Sequence, residues 1–337
     1  MAQTMKAWQY ISVTGGMEKN LHINESAPKP VPGENEILVQ VHVMALNPVD
    51  YKMTESPAPL RLLGSTFIPG FDFCGKVADI GKNVDGFTKG EYVFGGKIGS
   101  IGKGTLAQYV AVNKDQATSL PKGVQPEDAA TVGIVGLTGY RAISPNVKSG
   151  DKVFINGGSG GTGVYAIQIA KALGCHVTTT CSTPNIELCK SIGADEVIDY
   201  KSTNVVKALS SKGPTFNLVV DNIGTPANLY KASSAFIAPG GTFAQVGMTP
   251  NLSGFLQVGS NVLRPGFLGG GKAKYQMVVE QGSKSNLKVL AEWMKEGKVK
   301  SVVDSVFEWE DAPKAYEKMK TGRTKGKIII HVPQDNA

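Results

Sequence analysis

The chain has 337 residues, 41% of them apolar and 19% charged, the balance of an ordinary soluble protein with about two domains at roughly 150 residues each. It has no run of about 18 uninterrupted apolar residues, no basic-then-apolar leader over Met1 to Tyr10, and no C-x-x-C pair among Cys74, Cys175, Cys181 and Cys189, so a membrane span, secretion and a disulfide framework are not expected. The net charge of +7 is spread along the chain, with only a modest density from Lys295 to Lys327, and reads as a solvated surface attractive to an anionic cofactor, with no nucleic-acid partner expected.

In chain order, Glu36 to Ala45 (EILVQVHVMA) alternates as a half-buried strand. Gly75 to Ile80 and Glu91 to Phe94 are further short runs between glycines and prolines, so the first third predicts a compact antiparallel unit. From about Pro126 strands and helices alternate: Lys152 to Asn156, Gly163 to Leu173, His176 to Cys181, Asn185 to Ile192, Glu196 to Tyr200, Leu218 to Asp221 and Thr242 to Gly247. That alternation predicts a parallel sheet covered by helices. The tail is mixed, with a helix over Asn286 to Glu296, the stretch Ser301 to Trp309, a helix over Ala312 to Lys320 and a last strand over Gly326 to Val332. It is expected to pack back on the first unit, and four free thiols with no leader make a cytoplasmic location the default.

Between the strand at Lys152 and the helix that follows lies Gly158-Ser159-Gly160-Gly161-Thr162-Gly163, a G-x-G-x-x-G in the strand-turn-helix context that marks a dinucleotide site. Gly158 is expected to allow the tight turn, Gly160 to let the backbone approach a pyrophosphate, and Gly163 to let helix and strand pack closely. At the end of the next strand, where an acidic residue would bind the adenosine 2′-hydroxyl, stand Ser182 and Thr183. Hydroxyl donors there favour NADPH over NADH. Tyr200 either stacks on adenine or reaches the 2′-phosphate, or is an amphipathic strand-end residue. Asn222 falls where ribose or adenine contacts are expected, and Val246, Gly247 and Met248 should lie along the nicotinamide.

Asn47-Pro48-Val49-Asp50, Pro69 to Gly75, Gly104 to Tyr109, Leu137-Thr138-Gly139-Tyr140 and the glycine turn together resemble the medium-chain dehydrogenase/reductase superfamily over essentially the whole chain. Asn185 to Lys201 and Lys295 to Ser305 carry a closer resemblance to its quinone oxidoreductase branch, to chloroplast-envelope quinone oxidoreductase homologues and related enone reductases. The resemblance implies an α/β fold: a Rossmann doubly wound parallel sheet over 126–272, plus a GroES-like β-rich substrate domain over 1–125 completed by 273–337. It also implies a site in the cleft and a monomer or homodimer. Where zinc alcohol dehydrogenases place their catalytic ligands, this chain has Asn47, Phe71 and, approximately, Ile134, and the four-cysteine structural zinc loop is missing between Phe94 and Gly104. No metal is therefore expected, and alcohol oxidation becomes an unfavoured chemistry.

Conjugate reduction instead needs a hydride at the β-carbon, a donor to the developing enolate oxygen and a proton for the α-carbon. Lys52 is the candidate donor to the carbonyl, or else a solvated loop lysine. Asn47 is the candidate for orienting nicotinamide ribose or substrate. Thr138, read at a helix entry, bonds the nicotinamide carboxamide or ribose, or is an ordinary buried helix threonine. Asp50 and Asp72 are read as structural. The histidines His22, His42, His176 and His331 show no metal or triad spacing. No tyrosine matches the proton donor of related enoyl-thioester reductases, since Glu55 to Pro59 has none and Tyr51 lies too near the Asn-Pro-Val-Asp motif; solvent is the expected acid.

The leading expectation is an NADPH-dependent, zinc-independent reductase of a small-molecule carbonyl or quinone: an enone, a 2-alkenal or a quinone. The alternatives are a trans-acting enoyl-thioester reductase of a fatty-acid or polyketide pathway and, in another class, an NADPH-loaded sensor or RNA-binding protein with little catalysis.

Overall fold

The computed structural model describes residues 3–55, 66–99, 102–247, 252–263 and 273–334. The chain divides into two units, Met1–Leu137 with Glu280–Ala337, and Thr138–Val279.

The first unit opens with β1 (Thr4–Gln9) antiparallel to β2 (His22–Pro28), then β3 (Glu36–Ala45), α1 (Pro48–Glu55), β4 (Asp72–Ile80), β5 (Tyr92–Gly96), β6 (Tyr109–Asn113), β7 (Ala117–Ser119) and α2 (Pro126–Ala130). Helix α3 (Gly133–Ile143) carries the chain past Leu137. The division falls later than residue 126 because α2 and the first turn of α3 pack on this unit. At Gly133 a Cβ would sit 2.3 Å from the Gly95 carbonyl oxygen and 2.4 Å from Asp72 Oδ1.

Unit two runs β8 (Lys152–Asn156), α4 (Gly161–Ala172), β9 (His176–Cys181), α5 (Ile186–Ser191), β10 (Glu196–Asp199), α6 (Val205–Ser210), β11 (Phe216–Asp221), α7 (Leu229–Ala232), β12 (Ile237–Gln245), α8 (Leu252–Leu263) and β13 (Lys274–Met277). Its sheet has the order β10-β9-β8-β11-β12-β13, every pairing parallel. The chain leaves β8 for β9 on one side and later returns to β11 on the other, so the order reverses between β8 and β11. Ligands of such sheets bind beyond the carboxyl ends of the strands at that switch point. Val153, Phe154 and Ile155 of β8 and Leu218, Val219 and Val220 of β11 are fully buried, as expected of central parallel strands covered on both faces.

The chain then completes the first unit with α9 (Lys284–Lys295), β14 (Val303–Phe307), α10 (Ala312–Lys320) and β15 (Lys327–His331). Its larger sheet has the order β14-β15-β3-β4-β5-β7, with β6 also on β3; only the β14–β15 pairing is parallel. Strand β3 is buried on both faces rather than half-buried. Ile37, Val39 and Val41 enter one core with Trp8, Tyr10 and Phe73, while Leu38 enters a second with Met5, Ala7 and Tyr109. The β1–β2 pair covers the face that the alternation leaves for solvent. Among the described residues no helix is long and apolar enough to cross a membrane.

Candidate active site

The glycine turn connects β8 to α4 at the switch point. Its left-handed residue is Gly157, with φ +84°, and not Gly158. The tight turn assigned to Gly158 therefore belongs one residue earlier. Gly158 is excluded from bearing a side chain for another reason: a Cβ there would meet Thr179 Oγ1 at 2.2 Å. Gly163 packs so closely that a Cβ would lie 2.1 Å from the Gly157 carbonyl oxygen. At Gly160, among the described residues, nothing approaches a Cβ closer than that same oxygen, at 3.8 Å. Gly160 is also the N-cap of α4 and brings no side-chain cap. The first-turn N–H groups of Gly161, Thr162 and Gly163 have no intrahelical acceptor and lie at the positive end of the helix dipole, a cradle for an anion such as a pyrophosphate.

At the end of β9, Ser182 and Thr183 are engaged differently. The Asn185 amide donates to Ser159 Oγ at 3.0 Å and to Ser182 Oγ at 3.3 Å, tying the glycine turn to the next loop, and its Oδ1 is buried with no hydrogen-bond partner. Thr183 donates its hydroxyl to Asp199 Oδ2 at 2.6 Å. Asp199 pairs in register with Cys181, and the Thr183 hydroxyl and the Lys201 N–H hold its carboxyl below the usual range. A carboxylate therefore stands beside the hydroxyls, contributed by the neighbouring strand. Tyr200 follows it, 49% exposed, with the Lys201 ammonium 5.4 Å from its ring centroid.

At the carboxyl end of β11, Asp221 accepts from Gly224 N (2.9 Å), Ile223 N (3.0 Å), Asn156 Nδ2 (2.9 Å) and Gln245 Nε2 (3.1 Å). Burial pushes its carboxyl up, and these donors oppose the shift. The next residue contrasts with it: both side-chain polar atoms of Asn222 are buried without a partner. Buried amides are normally paired, so an unpaired one beside an open cradle fits a ligand that completes it. Val246 and Gly247 each donate their N–H to the Asp221 carbonyl, at 2.9 and 3.0 Å, and a Cβ at Gly247 would collide with the Asn222 carbonyl oxygen at 1.9 Å. Met248 lies outside the described residues.

In the first unit, Asn47 is 1% exposed and its amide points into a buried polar cluster. Lys327 on β15 donates to Leu46 O (2.7 Å), Asn47 Oδ1 (2.6 Å) and Asp72 Oδ2 (3.0 Å), and Asn47 Nδ2 donates to Asp72 Oδ2 at 2.8 Å. Asp72 Oδ1 accepts from Ile134 N at 2.6 Å. Asn47 is thus spoken for by its own fold, and Lys327, the charge at the centre of the cluster, was not anticipated. No local signal marks Lys327, which stands in an apolar strand 255 residues from its carboxylate. Of the positions that hold zinc in zinc alcohol dehydrogenases, Phe71 and Ile134 have no ligating side chain and Asn47 is engaged. Among the described residues no group of three His, Cys, Asp or Glu side chains gathers to hold a metal.

Lys52 lies on α1, half-buried, with no ion-pair partner among the described residues, and burial pulls its ammonium down from the ordinary lysine value. Thr138 is buried within α3 rather than at its entry. Gly139 after it brings α3 onto α4: a Cβ there would lie 3.2 Å from Ile169 Cδ1. Beside Asn47, a narrow cavity in the first unit is lined by Tyr10, Val49, Asp50, Met53, Thr54 and Phe71, among others.

Residues 33–122 match the family described as alcohol dehydrogenase GroES-like domain, and residues 192–330 match the one described as zinc-binding dehydrogenase. The chain is 44% identical to trans-enoyl reductase pgmF of Aspergillus terreus, over 98% of this chain and 97% of that one. It is 32% identical to the chloroplastic quinone-oxidoreductase QR1 of Triphysaria versicolor, over 97% of this chain and 98% of that one. Its fold matches the solved quinone oxidoreductase from Coxiella burnetii with a TM-score of 0.83 at 26% identity, over 98% of this chain and 100% of that one.

Proposed function

Starting from a chain that is an oxidoreductase of the medium-chain dehydrogenase/reductase superfamily, we propose that it is a zinc-independent, NADPH-dependent reductase of C=C bonds conjugated to a carbonyl. The observation that carries the reading is an uncapped glycine turn at the switch point of a parallel sheet, in a chain whose zinc positions read Asn47, Phe71 and Ile134. When bound, the cofactor supplies a hydride. Gly161 to Gly163 hold its pyrophosphate, Asn222 pairs with its ribose, and Gly247 gives it room at the end of β12. Ser182 in place of a carboxylate favours the 2′-phosphate, while the Asp199 carboxylate limits that preference. Lys52, without an ion-pair partner among the described residues, is the cation we assign to a substrate carbonyl. Asn47 and Thr138 act by packing and positioning.

The acceptor is drawn from two classes. Enones, 2-alkenals and quinones are one; the other is an enoyl thioester carried by a protein or by coenzyme A, which the 44% identity to a protein named trans-enoyl reductase favours. NADPH oxidation against a panel containing a free enone, a 2-alkenal, a quinone and an enoyl thioester tests both. Turnover of the thioester alone selects the second class, turnover of the free acceptors selects the first, and NADPH binding without any turnover overturns the proposal.

A further inference from the structure

Asn185 is 9% exposed and stands at the N-cap of α5, but its side chain caps nothing there. Asparagine is among the best capping residues, because its oxygen can take an orphan N–H of the first turn. Here Oδ1 is buried without a partner, and both hydrogens of the amide are turned elsewhere: Nδ2 donates to Ser159 Oγ at 3.0 Å and to Ser182 Oγ at 3.3 Å. Ser182, at the start of the short helical turn Thr183–Asn185, forgoes its cap as well. The opposite orientation of the amide would bury two unmet N–H groups in place of one unmet carbonyl oxygen, so the arrangement with Nδ2 on the serines is the less costly.

The direction of these bonds decides what the serines can do. A hydroxyl has one hydrogen and two lone pairs. Asn185 occupies a lone pair of each serine oxygen, the O–H of each has no acceptor among the described residues, and both serines are partly exposed. Ionised phosphate oxygens accept, and a hydroxyl meets one by donating. The neighbouring Thr183 offers no such hydrogen, because it donates its own to Asp199. In the glycine turn, β9 fixes the first residues, with Gly157 N on Thr180 Oγ1 and Gly158 N on Thr180 O, each at 2.8 Å. The side chain of the next residue, Ser159, is held by Asn185. One buried amide thus governs one hydroxyl on the turn and one on the ribose loop, all within the second unit.

We infer that Asn185 is a positioning residue of the cofactor site: its amide sets the Ser159 and Ser182 hydroxyls as donors, the first to the pyrophosphate and the second to the 2′-phosphate of NADPH, so that the two phosphates are read together. The inference deepens the NADPH reading above and rests on it. Asn185 itself meets no phosphate. It carries no charge, so it acts through the direction of two hydrogen bonds and not through long-range attraction. Loss of the amide frees each hydroxyl to rotate, and a rotating hydroxyl must be ordered again when the ligand binds.

Titration calorimetry of the full chain with 2′,5′-ADP, 5′-AMP and 2′-AMP tests this without turnover. Asn185→Ala should weaken each single-phosphate probe by about 5-fold and 2′,5′-ADP by about 25-fold, one aimed hydrogen bond per phosphate. The preference for NADPH over NADH should fall by about 5-fold, whereas a merely structural loosening would lower both affinities alike. Ser182→Ala should weaken 2′,5′-ADP by about 5-fold in wild type and by less than about twofold in Asn185→Ala, where the hydroxyl is no longer aimed. Equal losses in the two backgrounds overturn the inference, as does an Asn185→Ala that binds 2′,5′-ADP within about twofold of wild type. Should Asn185→Ala fail to fold, Asn185→Asp fills the same volume and still joins the two serines, but only by accepting from them. That variant should bind 2′,5′-ADP about 100-fold more weakly, and a loss under about tenfold overturns the inference. A wild type that binds 2′,5′-ADP no better than 5′-AMP removes the NADPH reading, a result distinct from tight 2′,5′-ADP binding that survives Asn185→Ala.

Discussion

The glycine turn of the second unit and the Asn47–Asp72–Lys327 cluster of the first are both polar constructions next to apolar strands, and they are built in opposite ways. The turn is made of backbone from seven consecutive residues, Gly157 to Gly163, with an uncapped helix start, and the unpaired side chain of Asn222 stands at the end of β11. The cluster is made of side chains from distant strands, and its ammonium, amide and carboxylate use one another. The contrast distinguishes a site from a scaffold. Unmet donors can take up a ligand, while a closed set of partners holds elements together and has nothing to offer a substrate.

The largest effect that would break this contrast lies in the cluster. Lys327→Met removes one partner of an ion pair whose side chains are 2% and 0% exposed, leaving the Asp72 carboxylate buried. Chemical denaturation should record a loss of roughly 3–5 kcal/mol, as for other broken buried pairs. A near-neutral result would mean that the cluster does not hold β15 to β3 and β4.

Next comes Gly160→Val. The φ of −82° suits any residue and, among the described residues, the nearest contact of a Cβ is the Gly157 carbonyl oxygen at 3.8 Å, so the fold should survive. Dinucleotide affinity measured by titration should drop by about 100-fold, a change of about 2.7 kcal/mol, because the side chain fills the space of the pyrophosphate. The same substitution at Gly158 meets Thr179 and Ile167 instead and should lower stability. Equal behaviour of the two variants would erase the distinction between the glycine that serves the ligand and the one that serves packing.

The smallest effect sharpens the edge of the site. Asp199→Asn removes an exposed negative charge beside the ribose loop and should raise NADPH affinity relative to NADH by about two- to fivefold, more at low salt than at high. No change, or a fall, would separate Asp199 from cofactor choice.

The second unit was the more legible of the two. Parallel strands of a doubly wound sheet are contiguous apolar runs punctuated by turns, and a glycine turn is a local motif, so Lys152 to Asn156, His176 to Cys181 and Gly158 to Gly163 could be read without knowing their neighbours. Even there the left-handed residue is Gly157, one place before the G-x-G-x-x-G pattern begins, because the pattern gives the spacing of the glycines and only the backbone path shows which of two adjacent ones turns. Asp199 escaped notice because its relation to Thr183 runs across two parallel strands. In the first unit the Asn-Pro-Val-Asp motif suggests that Asn47 orients nicotinamide ribose or substrate. It faces inward because Lys327 and Asp72, far away in the chain, claim its amide.

The alternation of elements, the dinucleotide turn and the absence of ligating side chains at Phe71 and Ile134 are legible from residue type and short-range order. Tertiary structure alone decided which polar groups are left over. Whether Asn222 is unpaired and whether Asn47 is free or engaged depend on burial and on partners, which for Asn47 come from 25 to 280 residues away, a sum over space that no local window contains.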